Sequence, residues 1–132
     1  MTPRVAPALR RRLGAEHGQA AVELALALPL VVVLVLALLQ VALVGRDQLA
    51  VELAAREAAR AAAVSADPAT AARLAAERVT PLRPLQVAVS VQGDTVTVRV
   101  RHPSATDVAL VGRLVGDVDL QASVTMALEP PP

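Results

Sequence analysis

The apolar positions of this chain are gathered in one stretch rather than spread. Leu24 to Gly45 is a run of 22 residues without a charge, broken in character only by Pro29 and Gln40. A helix of that length spans ~33 Å, enough for a hydrocarbon core of ~30 Å. The pattern predicts one transmembrane helix. The apolar region of a cleaved secretory signal is shorter, ~7–15 residues, and ends at a small-residue cut site. This run continues without a turn signal into Arg46-Asp47-Gln48. Good helix formers then fill Gln48 to Glu57, so a single helix is expected over 19–64. Glu52 precedes Arg56 by four residues, a favourable pair of ~0.2–0.5 kcal/mol. Leu49 and Leu53 share one face of this part, with Val64 farther along. The rest of its apolar stripe is alanine, which lets neighbours approach closely but buries little area.

Beyond the helix the pattern breaks and then changes period. Ser65-Ala66-Asp67-Pro68 is a helix stop followed by a start, with Asp67 as N-cap and Pro68 at the first helical position. A second helix is expected over 68–79, with Leu74 and Val79 inward and Arg73, Glu77 and Arg78 outward. Pro81 and Pro84 end it. Leu85 to Val91 and Thr95 to Arg101 alternate apolar with polar around Gln92-Gly93-Asp94, which predicts a hairpin. Val87, Val89 and Val91 share one face, as do Val96, Val98 and Val100. His102-Pro103-Ser104 is expected to end the second strand. Residues 106–115 fit a short amphipathic helix or loop. Residues 117–128 alternate again as a third strand, and 129–132 read as a frayed tail. The fold class expected is membrane-anchored α+β: a long transmembrane helix extending into a small outer domain with a short helix and a three-stranded antiparallel sheet. The chain divides into a basic leader (1–18, disordered over 1–17), the span (19–45), its helical extension (46–64) and the outer domain (65–132).

Charge orients the anchor. Arg4, Arg10, Arg11 and Arg12 precede the span, opposed only by Glu16, whereas the charges after it nearly balance. The positive-inside rule puts the amino terminus in the cytoplasm and the carboxy-terminal domain outside, as a single-pass protein of the cell membrane. Composition narrows the function. The chain has 132 residues, no cysteine and 0% aromatic residues. A compact enzyme core normally draws on aromatic bulk, and disulfides, thiolate metal sites and cysteine nucleophiles are ruled out. The formal charge of +1 argues against a nucleic-acid binder. All 13 basic residues are arginine, and Phe, Tyr, Ile, Asn and Lys are missing together. That is the mark of a G/C-rich coding sequence, and it weakens any argument from choice of residue type.

The most informative segment is Gly18-Gln19-Ala20-Ala21-Val22-Glu23-Leu24-Ala25-Leu26-Ala27-Leu28-Pro29. A basic leader ends in Gly18, and a lone carboxylate, Glu23, stands at the entry of the span. A carboxylate there costs less than the ~2.5–3.5 kcal/mol of a helix centre, so Glu23 is either tolerated at headgroup level or has a partner. The arrangement resembles the type IV prepilin processing site, in which a prepilin peptidase cuts after Gly and Glu is the fifth mature residue. On that resemblance the cut falls between Gly18 and Gln19. Gly14 does not fit, because its fifth following residue is Gln19. The family resemblance implies that Glu23 compensates the new terminal ammonium of a neighbouring subunit. The longer string is similar to the start of TadE-like proteins, minor-pilin or pseudopilin components of tight-adherence (Tad, or Flp) pilus systems. The similarity continues through the Ala-rich helix at Glu57–Ala61, the Val/Thr hairpin and the last strand. Leu24 departs from it, where Tad pilins favour Tyr or Phe. The resemblance implies a pilus-assembly role through the amino-terminal helix. It implies as partners the membrane, other pilin or pseudopilin subunits, pilus platform proteins and a prepilin peptidase. No cofactor is implied.

Other candidates are weaker. Pro29 lacks a donor and clashes with the carbonyl of Ala25, so a kink in the span is expected. Gln40 could bond between helices, worth ~0.6 kcal/mol, but a solvated or self-satisfied amide is the simpler expectation. His17 and His102 lie on opposite sides of the membrane. Asp117 and Asp119 share a strand face and read as a charged strand entry rather than a cation site. Ser104 near His102 has no orienting acid in a known motif, and no metal-ligand cluster or phosphate loop is present. An uncleaved single-pass assembly factor remains a second reading, and a membrane-anchored sensor or binding module a third.

Overall fold

A computed structural model of the chain describes residues 7–104 and 116–129, with side chains from Gly18 onward. The expected short helix or loop at 106–115 and the end of the tail, 130–132, lie outside the described residues. The first helix, α1 (Pro7–Ala63), is 57 residues long. It starts well before residue 19, so the leader is helical from Pro7 rather than disordered. The physical reason is local: proline suits a first helical turn, and Leu9 to Leu13, Ala15 and Glu16 are good helix formers. The helix runs on through Pro29 without a break.

Ser65 and Asp67 make the turn after α1. The Asp67 amide donates to Ser65 Oγ at 3.1 Å. Asp67 then caps α2 (Pro68–Val79), its Oδ1 accepting from the Thr70 amide at 3.2 Å. This is the cap-then-proline start that the sequence predicts, with the predicted bounds. After α2, Arg83 folds back, and its guanidinium donates to the carbonyls of Glu77, Thr80 and Leu82. The Glu77 and Thr80 carbonyls are orphan acceptors at the end of α2.

Three strands follow: β1 (Gln86–Gln92), β2 (Thr95–Ser104) and β3 (Val118–Ala127). They form an antiparallel sheet in the order β1-β2-β3. Gly93 takes φ +55° in the hairpin turn, with Gln92 opposite Thr95. β2 continues through His102 and Pro103 to Ser104, three residues past the expected end, because Pro103 pairs with Asp119 and Ser104 with Val118. Val96, Val98 and Val100 are fully buried on the inner face. Thr97 and Thr125, directly opposite on the outer face, share a hydroxyl hydrogen bond of 2.8 Å.

The helices bury a different face from the one their leucines suggest. Leu74 is 49% exposed and Leu53 48%, and Leu49, Val64 and Val79 also face outward. The core takes Val51, Ala54, Ala55, Ala58, Ala59 and Ala62 from α1, and Ala72 and Ala76 from α2. Both α2 and the sheet pack on α1, so the covered arc is wide and centred on Val51, Ala55, Ala58 and Ala62. Leu53 lies about 200° from Val51 at 100° per residue, on the far side. Alanine on both helices permits the close approach, and the sheet valines supply the volume. Gln40 is 7% exposed, so its amide is buried rather than solvated. It belongs to the same arc, eleven residues before Val51.

Two hydrogen bonds set β3 and the residues just after it against α1. Gln48 Nε2 donates to the Gln121 carbonyl at 3.3 Å, and the Glu129 amide donates to the Ala63 carbonyl at 2.9 Å. β3 therefore runs beside α1 in the same direction, rising away from the apolar stretch.

Candidate functional site

The sequence places its candidate chemistry on the amino-terminal part of α1, and the structure leaves that part bare. From Gly18 to Val35 every residue is exposed, including Leu24, Leu26, Leu28 and Leu30. Only 6% of the most apolar 18-residue window is buried. A core helix of a water-soluble domain would bury most of such a stretch. This one is long and apolar enough to cross a membrane and has no protein cover among the described residues.

Gly18, Gln19 and Glu23 lie on consecutive turns at the start of that stretch. Gln19 Nε2 donates to Glu23 Oε1 at 3.3 Å, a contact between residues four apart. The side chains of Gln19 and Glu23 are thus brought together, whereas Pro29 stands apart, six residues farther into the apolar run. Gly18 has open space where a Cβ would sit. Its requirement is not steric in the isolated chain. Glycine costs ~1 kcal/mol relative to alanine inside a helix, so Gly18 weakens α1 locally.

Residues 18–60 match the family model of TadE-like proteins. This segment is TadE-like. No curated protein and no solved structure matches the chain. The TadE-like segment begins at Gly18, contains Gln19, Glu23, Pro29 and the whole apolar run, and ends within the buried part of α1 at Arg60. It holds both parts of the helix: the bare apolar stretch and, from Val51, the wall of the packed domain.

The residues weighed for catalysis are used structurally. His102 is buried on the inner sheet face, and its Nδ1 lies 2.8 Å from the Pro84 carbonyl. A carbonyl only accepts, so Nδ1 carries the proton. Ser104 Oγ donates to Asp47 Oδ2 at 3.5 Å, tying the end of β2 to α1. Asp117 and Asp119 are exposed, and no cluster of three or more metal-ligating side chains occurs among the described residues. Sequence reasoning passed over Arg99 and Arg101. The alternation from Thr95 to Arg101 was the available signal, since residues two apart share a strand face. Both arginines are exposed on the outer sheet face, and neither has an ion-pair partner among the described residues.

Proposed function

We propose that the protein is a TadE-like minor pilin or pseudopilin that takes part in assembly of a Tad-type (Flp) pilus, or a related secretion machine, through its amino-terminal helix. The observation that carries this reading is the TadE-like match, which opens at Gly18 and covers the bare helix. In this reading the amino terminus is cytoplasmic and the outer domain lies beyond the cell membrane. A prepilin peptidase cuts after Gly18, and the helix then packs laterally with those of other pilin subunits. Cleavage also separates the basic leader from the span, which removes the Arg-rich segment holding the amino terminus on the cytoplasmic side. Glu23 becomes the fifth residue of the mature chain, one helical turn from the new ammonium. A carboxylate and an ammonium that meet across two subunits at that depth stabilise each other where either alone is costly.

The test is the intact mass and amino-terminal residue of the membrane-extracted protein, made with and without a prepilin peptidase. A mature chain starting at Gln19, blocked by Gly18→Ala, is the expected result. Glu23→Ala is expected to leave the anchor inserted but to impair assembly. Retention of residues 1–18 in both hosts would overturn the processing step and return the chain to the uncleaved assembly factor or anchored binding module.

A further inference from the structure

We propose that the free edge of β1 receives an extended strand from a partner polypeptide that alternates apolar with acidic side chains. This concerns the outer domain alone and stands whether or not residues 1–18 are removed.

The backbone supplies the first argument. Gln92 and Thr95 flank a two-residue turn and so form a hydrogen-bonded pair. Counting by twos, Gln86, Ala88, Ser90 and Gln92 bond to β2. Val87, Val89 and Val91 aim their N–H and C=O groups at the open edge. No described residue bonds to those groups through its backbone or a side chain. Edge strands are usually blunted by charge, proline or a bulge. The run Gln-Val-Ala-Val-Ser-Val-Gln has no charge and no proline, and its register with β2 is unbroken over all seven pairs. The β3 edge is different, since α1 reaches it through Gln48.

The side chains supply the second. On the inner face Val87 and Val89 are half-buried against the core, with α2 beside β1, and Val91 is 51% exposed, so the apolar row is open at its turn end. On the outer face a shallow trough lined by Gln86, Ala88, Arg99 and Arg101 leads from the central strand toward the same edge. Arg99 stands opposite Ala88 and Arg101 opposite Gln86. Ala88 is too small to block Arg99. A strand added beside β1 would lie two strand spacings, about 10 Å, from β2, and its outward carboxylates would meet the two guanidinium groups across Ala88. Its inward side chains would cover the valine row.

A second β1 does not fit the occupant described, because Gln86–Gln92 carries no carboxylate to meet Arg99 and Arg101, and antiparallel pairing is also closed to it by direction. β1 and β3 both run antiparallel to β2, so β1 also rises in the direction of α1. Antiparallel pairing of two β1 strands would point the two α1 helices in opposite directions, which two copies inserted the same way in one membrane do not permit.

The experiment uses the full chain in detergent micelles and two synthetic peptides, Thr-Val-Glu-Val-Glu-Val-Thr and Thr-Val-Lys-Val-Lys-Val-Thr. Amide hydrogen exchange and titration calorimetry are the readouts. The acidic peptide is expected to slow exchange at Val87, Val89 and Val91 and to bind at least ~10-fold tighter than the basic one. Val89→Pro removes an edge donor without removing a bond to β2, and it is expected to abolish binding while Val96, Val98 and Val100 stay protected. Arg99→Glu with Arg101→Glu is expected to reverse the peptide preference, which keeps the test informative should Val89→Pro fail to fold. Unchanged exchange at the three valines, equal binding of the two peptides, or an unreversed preference would overturn the proposal.

Discussion

Substituting Ala76 and Leu74 separately tests which face of α2 is buried, because the larger loss marks the buried position. Ala76 is fully buried in the cluster that includes Ala55, Ala58 and Ala59 of α1. Ala76→Leu adds a branched side chain to a contact built from methyl groups, and overpacking of this kind costs about 1–3 kcal/mol. Leu74 is 49% exposed. Full burial of a leucine is worth about 1.5–3 kcal/mol, so its buried half contributes about 0.7–1.5 kcal/mol by the same scale. Alanine recovers a little of that through its higher helix propensity, and Leu74→Ala should cost at most about 1.5 kcal/mol. The assay is amide hydrogen exchange of α2 and of Val96, Val98 and Val100 in micelles, under conditions where exchange follows opening free energy. Ala76→Leu should speed exchange about 5- to 140-fold, at 1.4 kcal/mol per factor of ten, and Leu74→Ala at most about 12-fold. If Leu74→Ala proves the more damaging of the two, the alanine-centred core is wrong and the leucine face is the buried one.

Three further outcomes follow from the fold. Asp67→Ala removes the cap of α2, so its first-turn amides should exchange roughly 2- to 30-fold faster, whereas Asp67→Asn should retain most of the protection. The Thr70 hydrogen bonds hold the Asp67 carboxyl below its ordinary value of 3.8. A lowered folded-state value means the stabilisation is present above about pH 4 and is lost as pH falls through the folded value. Protection of the α2 amides, followed between pH 5 and pH 2, should therefore drop at the acid end in the native chain, and the part of that drop due to the cap should vanish with Asp67→Asn. Gly93→Ala has room for its methyl but places it on a residue at φ +55°, for a cost of about 1–2 kcal/mol in thermal unfolding. His102→Ala leaves the Pro84 carbonyl without its donor and opens space on the inner face, and about 1–3 kcal/mol is expected from the carbonyl alone. His102→Gln should recover part of it.

The legible parts of the fold were those where one local rule acts alone. Asp67-Pro68 gave the start of α2, because a cap and a first-turn proline act within four residues. The valine alternation on both sides of Gln92-Gly93-Asp94 gave the hairpin and its faces. The apolar run gave the bare helix, since no other residue is needed to explain 22 positions without charge. The buried side of the helices was not legible. Leu49, Leu53 and Leu74 are the most apolar residues there, yet alanine is buried, because the helix-to-helix distance is a property of both partners. Gln40, expected to be solvated or self-satisfied, is buried, which the local sequence does not show. In the candidate site, the spacing of Gly18 and Glu23 carries the expectation of processing. Arg99 and Arg101 were passed over, because their meaning comes from the small residues opposite them in the sheet and from the open edge beyond.

No proline interrupts α1 between Pro29 and Ala63, and its last four turns are themselves a wall of the outer domain. The bare helix and the packed domain share a rod rather than a tether. Shifting the helix along its axis by one residue moves the whole sheet by about 1.5 Å, and turning it by one residue swings the sheet by about 100°. In the membrane setting proposed above, the height and heading of the domain are mechanical readouts of how deep, and at what rotation, the helix sits.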